Sequence, residues 1–334
     1  MSTILHTVML LISMIFTPTP PQDWSWIEIN HSPGPGIRIC AGMAYDSESG
    51  VIVLHGGYDG SSASGETWIF DCRSNGWRRM SCAAAPRGRL GQGFVYDEIR
   101  DRCVMFFGTD GHLYFNDTWE YDFNSNTWTQ LHPGTLPSPR CKGGAAFDTE
   151  SRQIIFFGGY GADEVNLSET WTFNLQQNTW VDRTTDKAPP PRKRNPLSYD
   201  EDDDRVVMFG GWLEGNQVLG DTWTYDFNSN TWSEIHTGTS PAPRARFGTA
   251  YDPETRNVLI SHGFQEREAD LDDTWEFSVE NGEWRRLDTE GLSMPARHCF
   301  QMAYDVLNQR VVAQGGAAEI AFDCGTWVLE ESGK

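Results

Sequence analysis

The sequence DTWEYDFNSNTW at residues 117–128 returns almost unchanged as DTWTYDFNSNTW at residues 221–232. Aligning the chain on the acid-Thr-Trp of this stretch gives six tryptophans, spaced by 51 or 52 residues: Trp68, Trp119, Trp171, Trp223, Trp275 and Trp327. A second series follows nine residues behind the first: Trp77, Trp128, Trp180, Trp232 and Trp284. Trp26, which lies 51 residues before Trp77, supplies a sixth member. A period of this length indicates one supersecondary unit repeated six times.

Each unit predicts four short strands. The first strand is small and apolar and ends at an aspartate: Asp46, Asp97, Asp148, Asp200, Asp252 or Asp305. The second is an apolar run that ends in glycine, such as IIFFGG, which suits a strand buried on both faces. The third strand contains the Thr-Trp and the fourth contains the second tryptophan. The asparagines of DFNSNTW tolerate the left-handed conformation of a tight hairpin between them.

Paired glycines, acid-Thr-Trp and Asn-Thr-Trp at about 50-residue spacing resemble the kelch repeat. The resemblance covers residues 24–330 and implies an all-β, six-bladed kelch-type β-propeller with four antiparallel strands per blade. The last unit lacks a fourth strand, so we expect residues 23–30 (DWSWIEIN) to close the ring and remove its open edges. Departures from the pattern are Gly108-Thr109 and His262-Gly263 in place of the double glycine, and Gly325 in place of the acid.

The N-terminal residues predict an export leader. The apolar run at residues 5–16 is shorter than the roughly 20 residues that span a bilayer and is followed by TPTPPQ. We therefore assign residues 1–21 to a leader and residues 22–334 to a single propeller, and expect a secreted, periplasmic or cell-surface protein. The leader has no Lys or Arg and no A-x-A cleavage site. An uncleaved anchor and a cytoplasmic protein with a misassigned start therefore stay open.

The cysteines and the N-glycosylation sequons also bear on whether the protein is exported. Seven cysteines leave at least one thiol unpaired, and we expect few or no structural disulfides. Cys40 and Cys299 occupy equivalent repeat positions, so we expect them to point the same way round the ring rather than toward each other. Sequons at Asn30, Asn116 and Asn166 fit an exported protein.

The net charge of the chain restricts the classes of partner that it can bind. The chain has 334 residues, with 26 Lys+Arg against 47 Asp+Glu and a formal net charge of −21. Such a protein is repelled by nucleic-acid phosphates and by anionic lipid, so we expect neither a nucleic-acid partner nor a membrane contact beyond the leader.

Some proteins with kelch-like propellers are enzymes, and each kind requires particular metal-binding or catalytic residues. Galactose oxidase-like proteins hold copper with Tyr and His, but the histidines here lie in separate units, and His55 and His262 end second strands where core packing is the simpler reading. Nitrile-specifier kelch proteins hold iron with an acidic segment closed by a His, which the acidic segment at residues 265–273 lacks. The run Asp200–Asp204 lacks the glycine of a calcium loop and reads as a solvated turn. We therefore predict no catalytic residue, metal or cofactor. A metal-independent, mutarotase- or isomerase-like carbohydrate enzyme at the channel mouth stays as the alternative.

An arginine stands eight residues before the first-strand aspartate of every unit: Arg38, Arg89, Arg140, Arg192, Arg244 and Arg297. The first strand is innermost in a propeller, so these side chains are expected to ring the mouth of the channel and to bind carboxylate or sulfate groups. The alternative is that each arginine pairs with the acid before Thr-Trp: Glu66, Asp117, Glu169, Asp221 or Asp273.

The residue after the glycine pair is aromatic in four units: Tyr58, Tyr160, Trp212 and Phe264, with Asp110 and Ala317 in the others. In a kelch propeller this position begins the loop between strands two and three, on the same face as the Pro-rich loops between blades. These aromatics either cover the inner strands or form a binding surface, and no repeat position requires Trp212. We predict a non-catalytic module that binds a protein or a glycan through this face. A structural part of a larger assembly remains open, whereas a ubiquitin-ligase adaptor is not expected because the repeats leave no room for a BTB or F-box domain.

Overall fold

The computed structural model describes residues 24–29, 33–265, 270–289, 293–318 and 322–332, and Asn216 by its backbone alone. The predicted leader at residues 1–21 and the sequon at Asn30 lie outside these residues. Within them, no helix is long and apolar enough to cross a bilayer.

The described residues form six four-stranded antiparallel sheets, which are the blades of a propeller. The first strand of the chain, β1 (Trp24–Ile29), belongs to the last blade. Blade 1 consists of β2 (Gly42–Asp46), β3 (Val51–His55), β4 (Thr67–Asp71) and β5 (Gly76–Met80). Blade 2 consists of β6 (Gly93–Asp97), β7 (Arg102–Phe106), β8 (Thr118–Asp122) and β9 (Thr127–Leu131). In blade 3, β11 (Gly144–Asp148), β12 (Gln153–Phe157), β14 (Thr170–Asn174) and β15 (Thr179–Asp182) are accompanied by the short pair β10 (Arg140–Cys141) and β13 (Tyr160–Gly161).

The second half of the chain repeats this pattern with longer ladders. Blade 4 consists of β16 (Leu197–Asp200), β17 (Arg205–Trp212), β18 (Val218–Asp226) and β19 (Thr231–Ile235), with a single 3₁₀ turn at Glu214–Asn216. Blade 5 consists of β20 (Gly248–Asp252), β21 (Asn257–Gly263), β22 (Leu271–Ser278) and β23 (Glu283–Leu287). Blade 6 consists of β24 (Gln301–Asp305), β25 (Arg310–Gln314) and β26 (Thr326–Glu331), with β1 as its outer strand. The six-bladed, four-stranded prediction is therefore confirmed.

Ring closure also follows the prediction. Strand β1 pairs antiparallel with β26, and Trp26 lies opposite Leu329. Trp26 is 1% exposed and belongs to the apolar cluster between blades 5 and 6, whereas its neighbour Ile27 is 43% exposed. One face of β1 therefore completes a core, as a period-two strand requires.

The second tryptophan of each blade ties that blade to the one before it. Its indole Nε1 donates to the Thr of the preceding blade's Thr-Trp over 2.8–3.4 Å. The pairs are Trp77–Thr326, Trp128–Thr67, Trp180–Thr118, Trp232–Thr170, Trp284–Thr222 and Trp26–Thr274. A buried indole N–H needs an acceptor, so the repeated threonine explains why these tryptophans are tolerated in the cores between blades.

The glycine pair ends each second strand with two residues of positive φ. The second position has φ of +100° at Gly159 and +110° at Gly211, which favours glycine. In blade 2 these positions belong to Phe107 (φ +62°) and Gly108 (φ +99°). The predicted assignment of Gly108-Thr109 to the pair was therefore wrong by one residue, because an aromatic side chain occupies the first left-handed position.

The run Asp200–Asp204 forms the turn between β16 and β17, as expected. Asp200 accepts hydrogen bonds from the backbone amides of Asp202 and Asp203, at 3.1 and 3.3 Å. Asp204 has φ of +51° and accepts from Tyr199. The carboxylates thus organise their own turn, at the end of the propeller opposite the loops discussed next.

Candidate binding face at the channel mouth

Six residues, one from each blade, form a closed ring of backbone hydrogen bonds at one end of the central channel. Each amide nitrogen donates to the carbonyl oxygen of the equivalent residue in the preceding blade, over 2.6–3.4 Å. The residues are Cys40, Gly91, Lys142, Arg194, Arg246 and Cys299, and we call them the mouth ring. All six have φ between +53° and +63°, so each turns the chain sharply from an inter-blade loop into a first strand. A cavity of about 180 Å³ lies against this ring.

A short ladder holds each predicted aromatic position beside the mouth ring. In every blade, the residue before the ring residue exchanges backbone bonds with the residue after the glycine pair, as between Lys193 and Trp212 at 3.1 and 2.8 Å. The other pairs are Ile39–Tyr58, Leu90–Thr109, Cys141–Tyr160, Ala245–Phe264 and His298–Ala317. Thr109, not Asp110, therefore occupies this position in blade 2, as the shifted glycine pair requires. We call the end of the propeller that carries these ladders the loop face.

The six repeated arginines do not ring the mouth. Their side chains are at most 5% exposed, and each forms an ion pair with an acid that lies before or within the third strand of its own blade. The acids are Glu66, Asp117, Glu169, Asp221, Asp273 and, in the last blade, Asp323. The expectation of a cationic funnel built from these arginines was wrong, and the pairing alternative describes the structure. A buried guanidinium without an acidic partner is strongly destabilising, which explains why each of these arginines is paired.

Arg192 illustrates how one such arginine joins the parts of a blade. Its two terminal nitrogens bind the two oxygens of Asp221 at 2.7 Å each, and Nη1 also donates to the carbonyl oxygen of Gly210 at 2.9 Å. Its own carbonyl oxygen accepts from Gly159 of the preceding blade at 2.9 Å. Burial acts to raise the pKa of the Asp221 carboxyl, but Arg192 and the indole N–H of Trp223 outweigh it and the pKa is lowered. The carboxylate is thus charged in the folded state, and the pair is structural.

Trp212 and Phe264 form a stacked pair on the loop face. Their ring centroids lie 5.4 Å apart with an interplanar angle of 17°, and both side chains are half-buried. The guanidinium of Arg246 lies 4.5 Å from the Trp212 ring and 5.1 Å from the Phe264 ring. Trp212 is the last residue of β17 and is not an isolated loop residue. The three side chains form a platform of two aromatic rings and one cation.

Tyr160 forms a second group of the same kind. The Lys193 ammonium lies 3.9 Å from its ring centroid and the Lys142 ammonium lies 5.7 Å away. Tyr58 lies farther round the face, with its ring 6.2 Å from that of Phe322, which is 53% exposed. The four predicted aromatics therefore share one face, and three of them lie beside mouth cations.

Four cations gather at this mouth without a carboxylate in ion-pair contact. Among the described residues, Lys142, Lys193, Arg194 and Arg246 form no ion pair with a carboxylate. Burial lowers the pKa of Lys193, and the charges of Lys142 and Arg194 lower it further. Burial likewise lowers the pKa of Arg246, with Arg194 as the next cause. Burial also acts to lower the pKa of Arg194, but Cys299 and Cys40 outweigh it and the pKa is raised. Neighbouring cations thus disfavour the charged forms of Lys193 and Arg246, within a chain of net charge −21.

Cys40 and Cys299 are neighbours in the mouth ring, which corrects the expectation that they do not face each other. The Cys40 amide donates to the Cys299 carbonyl oxygen at 2.9 Å, and both thiols contact Arg194 Nη1, at 3.5 and 3.1 Å. Blades 6 and 1 are adjacent once the ring closes, and equivalent innermost residues of adjacent blades meet at the axis. All seven cysteines are free thiols.

The two histidines that end second strands are part of the core, as the sequence analysis favoured. His55 and His262 are fully buried core residues, and burial is the main cause that lowers their pKa, to about 3 and about 4. In the described part of the chain, no group of three or more His, Cys, Asp or Glu side chains is arranged to hold a metal ion. Asn166 is buried and its amide donates to the Trp212 carbonyl oxygen at 2.9 Å, so this sequon is built into the fold.

The sequence contained a signal for the mouth ring that our interpretation missed. The ring residue always stands six positions before the first-strand aspartate, two after the repeated arginine. It is Lys or Arg in three consecutive blades, 3 to 5, and Cys in the two that flank the seam. The arginine repeats in every unit because the fold requires its ion pair, and not because it contacts a ligand. The variable position beside it carries the chemistry of the mouth.

Comparisons with known proteins agree with this architecture. A family model described as the KLHDC2/KLHL20/DRC7 Kelch-repeats domain matches residues 131–316, and one described as the Attractin/LZTR1 beta-propeller matches residues 19–181. Kelch domain-containing protein 10 of Homo sapiens is 28% identical over 217 residues, which are 62% of this chain and 48% of that protein. F-box/kelch-repeat protein At1g51550 of Arabidopsis thaliana is 27% identical over 269 residues, which are 73% of this chain and 55% of that protein.

The chain thus spans about half the length of these relatives. Kelch propellers are typically protein-interaction modules. The first family model covers more than half of the chain, from the last residue of β9 to the residues just after β25. This chain belongs to the kelch-repeat β-propeller proteins.

Proposed function

We propose that this propeller is a non-catalytic module that binds an acidic segment of a partner protein at the mouth of its loop face. The observation that carries the proposal is the group of four cations without carboxylate partners, Lys142, Lys193, Arg194 and Arg246, in an otherwise acidic chain. Their mutual repulsion is a free-energy cost in the unbound protein. A carboxylate from a partner relieves that cost and forms charge-assisted hydrogen bonds.

The aromatic platform supports a polypeptide as the ligand. Trp212 and Phe264 offer a half-buried aromatic surface beside Arg246, and Tyr160 offers another beside Lys193. Aromatic residues and arginine are the types that most often dominate protein interfaces. A partner that carries an acidic side chain next to an apolar one matches both parts of this surface.

The size of the cavity limits how the partner enters. About 180 Å³ is below the range of about 300–1,000 Å³ that holds a drug-sized molecule, so one or two side chains fill it. The rest of the segment then lies across the loop face, against the ladders that hold Tyr160 and Trp212. Specificity resides in the side chain that reaches the mouth ring.

Peptide selection on the purified propeller tests this proposal. We expect a displayed random-peptide library to yield sequences with Asp or Glu beside an aromatic or aliphatic residue, and their affinity to fall as salt is raised. Arg246→Gln and Lys193→Gln should weaken the selected peptides, whereas Arg205→Gln, on the opposite end of the propeller, should not. Enrichment of neutral or basic peptides, or equal binding by the Arg246 and Lys193 variants, contradicts the proposal. Binding to neutral glycans on an array, with no peptide selected, favours a glycan ligand instead.

Export remains a prediction from the apolar run at residues 5–16, which lies outside the described residues. We propose a secreted or surface-exposed protein on that basis alone. Expression of the full chain with a C-terminal tag, followed by sequencing of the N-terminus of the protein found outside the cytoplasm, tests it. An intact N-terminus on protein that stays in the cytoplasm contradicts it.

A further inference from the structure

Two thiols and one guanidinium meet at the seam of the propeller, where the last blade joins the first. Arg194 Nη1 lies 3.1 Å from Cys299 Sγ and 3.5 Å from Cys40 Sγ. Both thiols therefore contact the same guanidinium nitrogen. The backbone bond from the Cys40 amide to the Cys299 carbonyl oxygen, at 2.9 Å, holds the two residues side by side.

The fold does not require cysteine at these two positions. The other four members of the mouth ring are glycine, lysine and two arginines, and they form the same backbone bonds with the same left-handed φ. A side chain at positive φ costs free energy relative to glycine, so the conformation does not select cysteine either. Three of the other five cysteines differ, because Cys72, Cys103 and Cys141 are buried, and burial raises the pKa of each.

The surroundings of Cys40 favour its thiolate. The neighbouring Cys299 thiol is the largest cause that lowers the pKa of Cys40, and the charges of Arg194 and Lys142 act in the same direction. Cys40 is partly exposed and lines the cavity at the mouth, so a small oxidant can reach it. A thiolate beside a cation, with a second thiol in contact, is the arrangement that reacts with peroxides and then resolves to a disulfide.

We propose that Cys40 and Cys299 form a reversible redox pair that a hydroperoxide oxidises to a disulfide across the seam. The Cys40 thiolate attacks the terminal oxygen of the hydroperoxide, the O–O bond breaks, and Cys40 becomes a sulfenic acid while the alcohol leaves with a proton. Cys299 then attacks the sulfenic sulfur, the S–O bond breaks, and water leaves. Two thiols are oxidised by two electrons, one peroxide bond is reduced, and a dithiol reductant reverses the change.

The disulfide alters both the seam and the mouth. It joins β2 of blade 1 to β24 of blade 6 through the residues that lead into them, so the seam gains a covalent bond where it had hydrogen bonds. It also removes the thiolate that faces Arg194. Loss of that negative charge should strengthen the binding of a partner carboxylate by Arg194, which couples the redox state to the loop face and rests on the proposed function.

The experiment oxidises the full chain after reduction with a dithiol and removal of the reductant. Hydrogen peroxide is added, remaining thiols are alkylated, and the unreduced digest is analysed by mass spectrometry. We expect a linked pair of peptides containing Cys40 and Cys299, lighter by two hydrogens than the sum of the free peptides, which a dithiol separates. Arg194→Gln should slow the reaction about tenfold at neutral pH, Arg194→Lys should recover part of the rate, and Cys324→Ser should match the native chain.

A measurement on the native chain guards against variants that fail to fold. Alkylation of Cys40 at a series of pH values should have a midpoint below the ordinary thiol pKa of about 8.5. A midpoint at or above that value overturns the proposal. So does peroxide treatment that oxidises Cys324 while Cys40 and Cys299 stay alkylatable, or that leaves Cys40 as a sulfinic acid without a crosslink.

Discussion

The indole of Trp26 donates to Thr274 Oγ1 at 3.4 Å, so the strand from the N-terminus makes with blade 5 the contact that joins every other pair of adjacent blades. Thr274 Oγ1 lies 2.7 Å from Ser261 Oγ, which lies 2.6 Å from His262 Nδ1. His262 Nε2 lies 2.9 Å from the Met294 carbonyl oxygen. An indole N–H only donates and a carbonyl oxygen only accepts. The hydrogen bonds of this series therefore all donate in the same direction, from Trp26 towards Met294.

Trp26→Ala should destabilise the protein by about 3–5 kcal/mol, because it removes a fully buried ring from the core between blades 5 and 6. Deletion of residues 1–30 should do more, since β26 is then an unpaired edge and promotes aggregation. Chemical unfolding followed by light scattering measures both effects. Ile27→Ala, on the exposed face of the same strand, is the matched control and should cost little. Equal stability of the Trp26 and Ile27 variants contradicts closure by this strand.

His262 should make the protein less stable in mild acid. Its folded pKa of about 4 lies below the ordinary value of 6.5, because burial disfavours the imidazolium. At pH 7.5 the group is neutral in both states and contributes nothing. As pH falls below 6.5 only the unfolded chain binds the proton, so the free energy of unfolding falls by about 2 kcal/mol by pH 5 through this one group.

Replacement of His262 isolates that contribution. Asparagine tolerates the left-handed backbone at this position, where φ is +57°, and does not titrate. We expect His262→Asn to be less stable at pH 7.5 but to lose less stability between pH 7.5 and pH 5 than the native chain. His236→Asn alters an exposed histidine and should keep the native slope. An unchanged slope in the His262 variant means that this histidine does not titrate as the structure indicates.

Arg192→Met should destabilise the propeller rather than act on ligand binding. The substitution leaves the Asp221 carboxylate partly buried without its bidentate partner, which typically costs about 3–5 kcal/mol. Arg205→Met removes a half-exposed pair with Asp226 and should cost about 1 kcal/mol or less. Unfolding curves at neutral pH compare the two. A small loss for Arg192 means that the repeated arginines are kept for another reason, such as the ligand site first predicted for them.

The sequence predicted the blades because the same physical demand recurs six times. Each second tryptophan needs an acceptor and each second strand needs an apolar run, so the period appears directly in the sequence. The blade-2 glycine pair was misassigned because Phe107 adopts a left-handed φ that residue type alone does not predict. Repetition identifies positions that the fold requires. For the same reason, the repeated arginines were predicted as a ligand site although their role is structural.

The mouth was harder to predict because its residues differ from blade to blade. Lys142, Arg194 and Arg246 occupy the same repeat position, but the residue type at that position changes round the ring, and the three cations become one cluster only when three adjacent blades converge on the axis. Cys40 and Cys299 are 259 positions apart and meet only through ring closure. Trp212 was singled out correctly as a departure from the repeat, but its stacking on Phe264 and its contact with Arg246 depend on the twist between blades 4 and 5.

Trp212→Ala should separate binding from folding. Its backbone ladder with Lys193 does not depend on the side chain, and the ring is half-buried on the surface, so the melting temperature should change little. A peptide selected on the native propeller should lose about 2 kcal/mol of affinity or more, roughly 30-fold, because the ring face that it covers is gone. Isothermal titration and thermal melts of the same preparation measure both, and Asp202→Ala at the opposite end should leave the affinity unchanged. If Trp212→Ala instead unfolds the protein, the stack with Phe264 is part of the core and the ligand lies elsewhere.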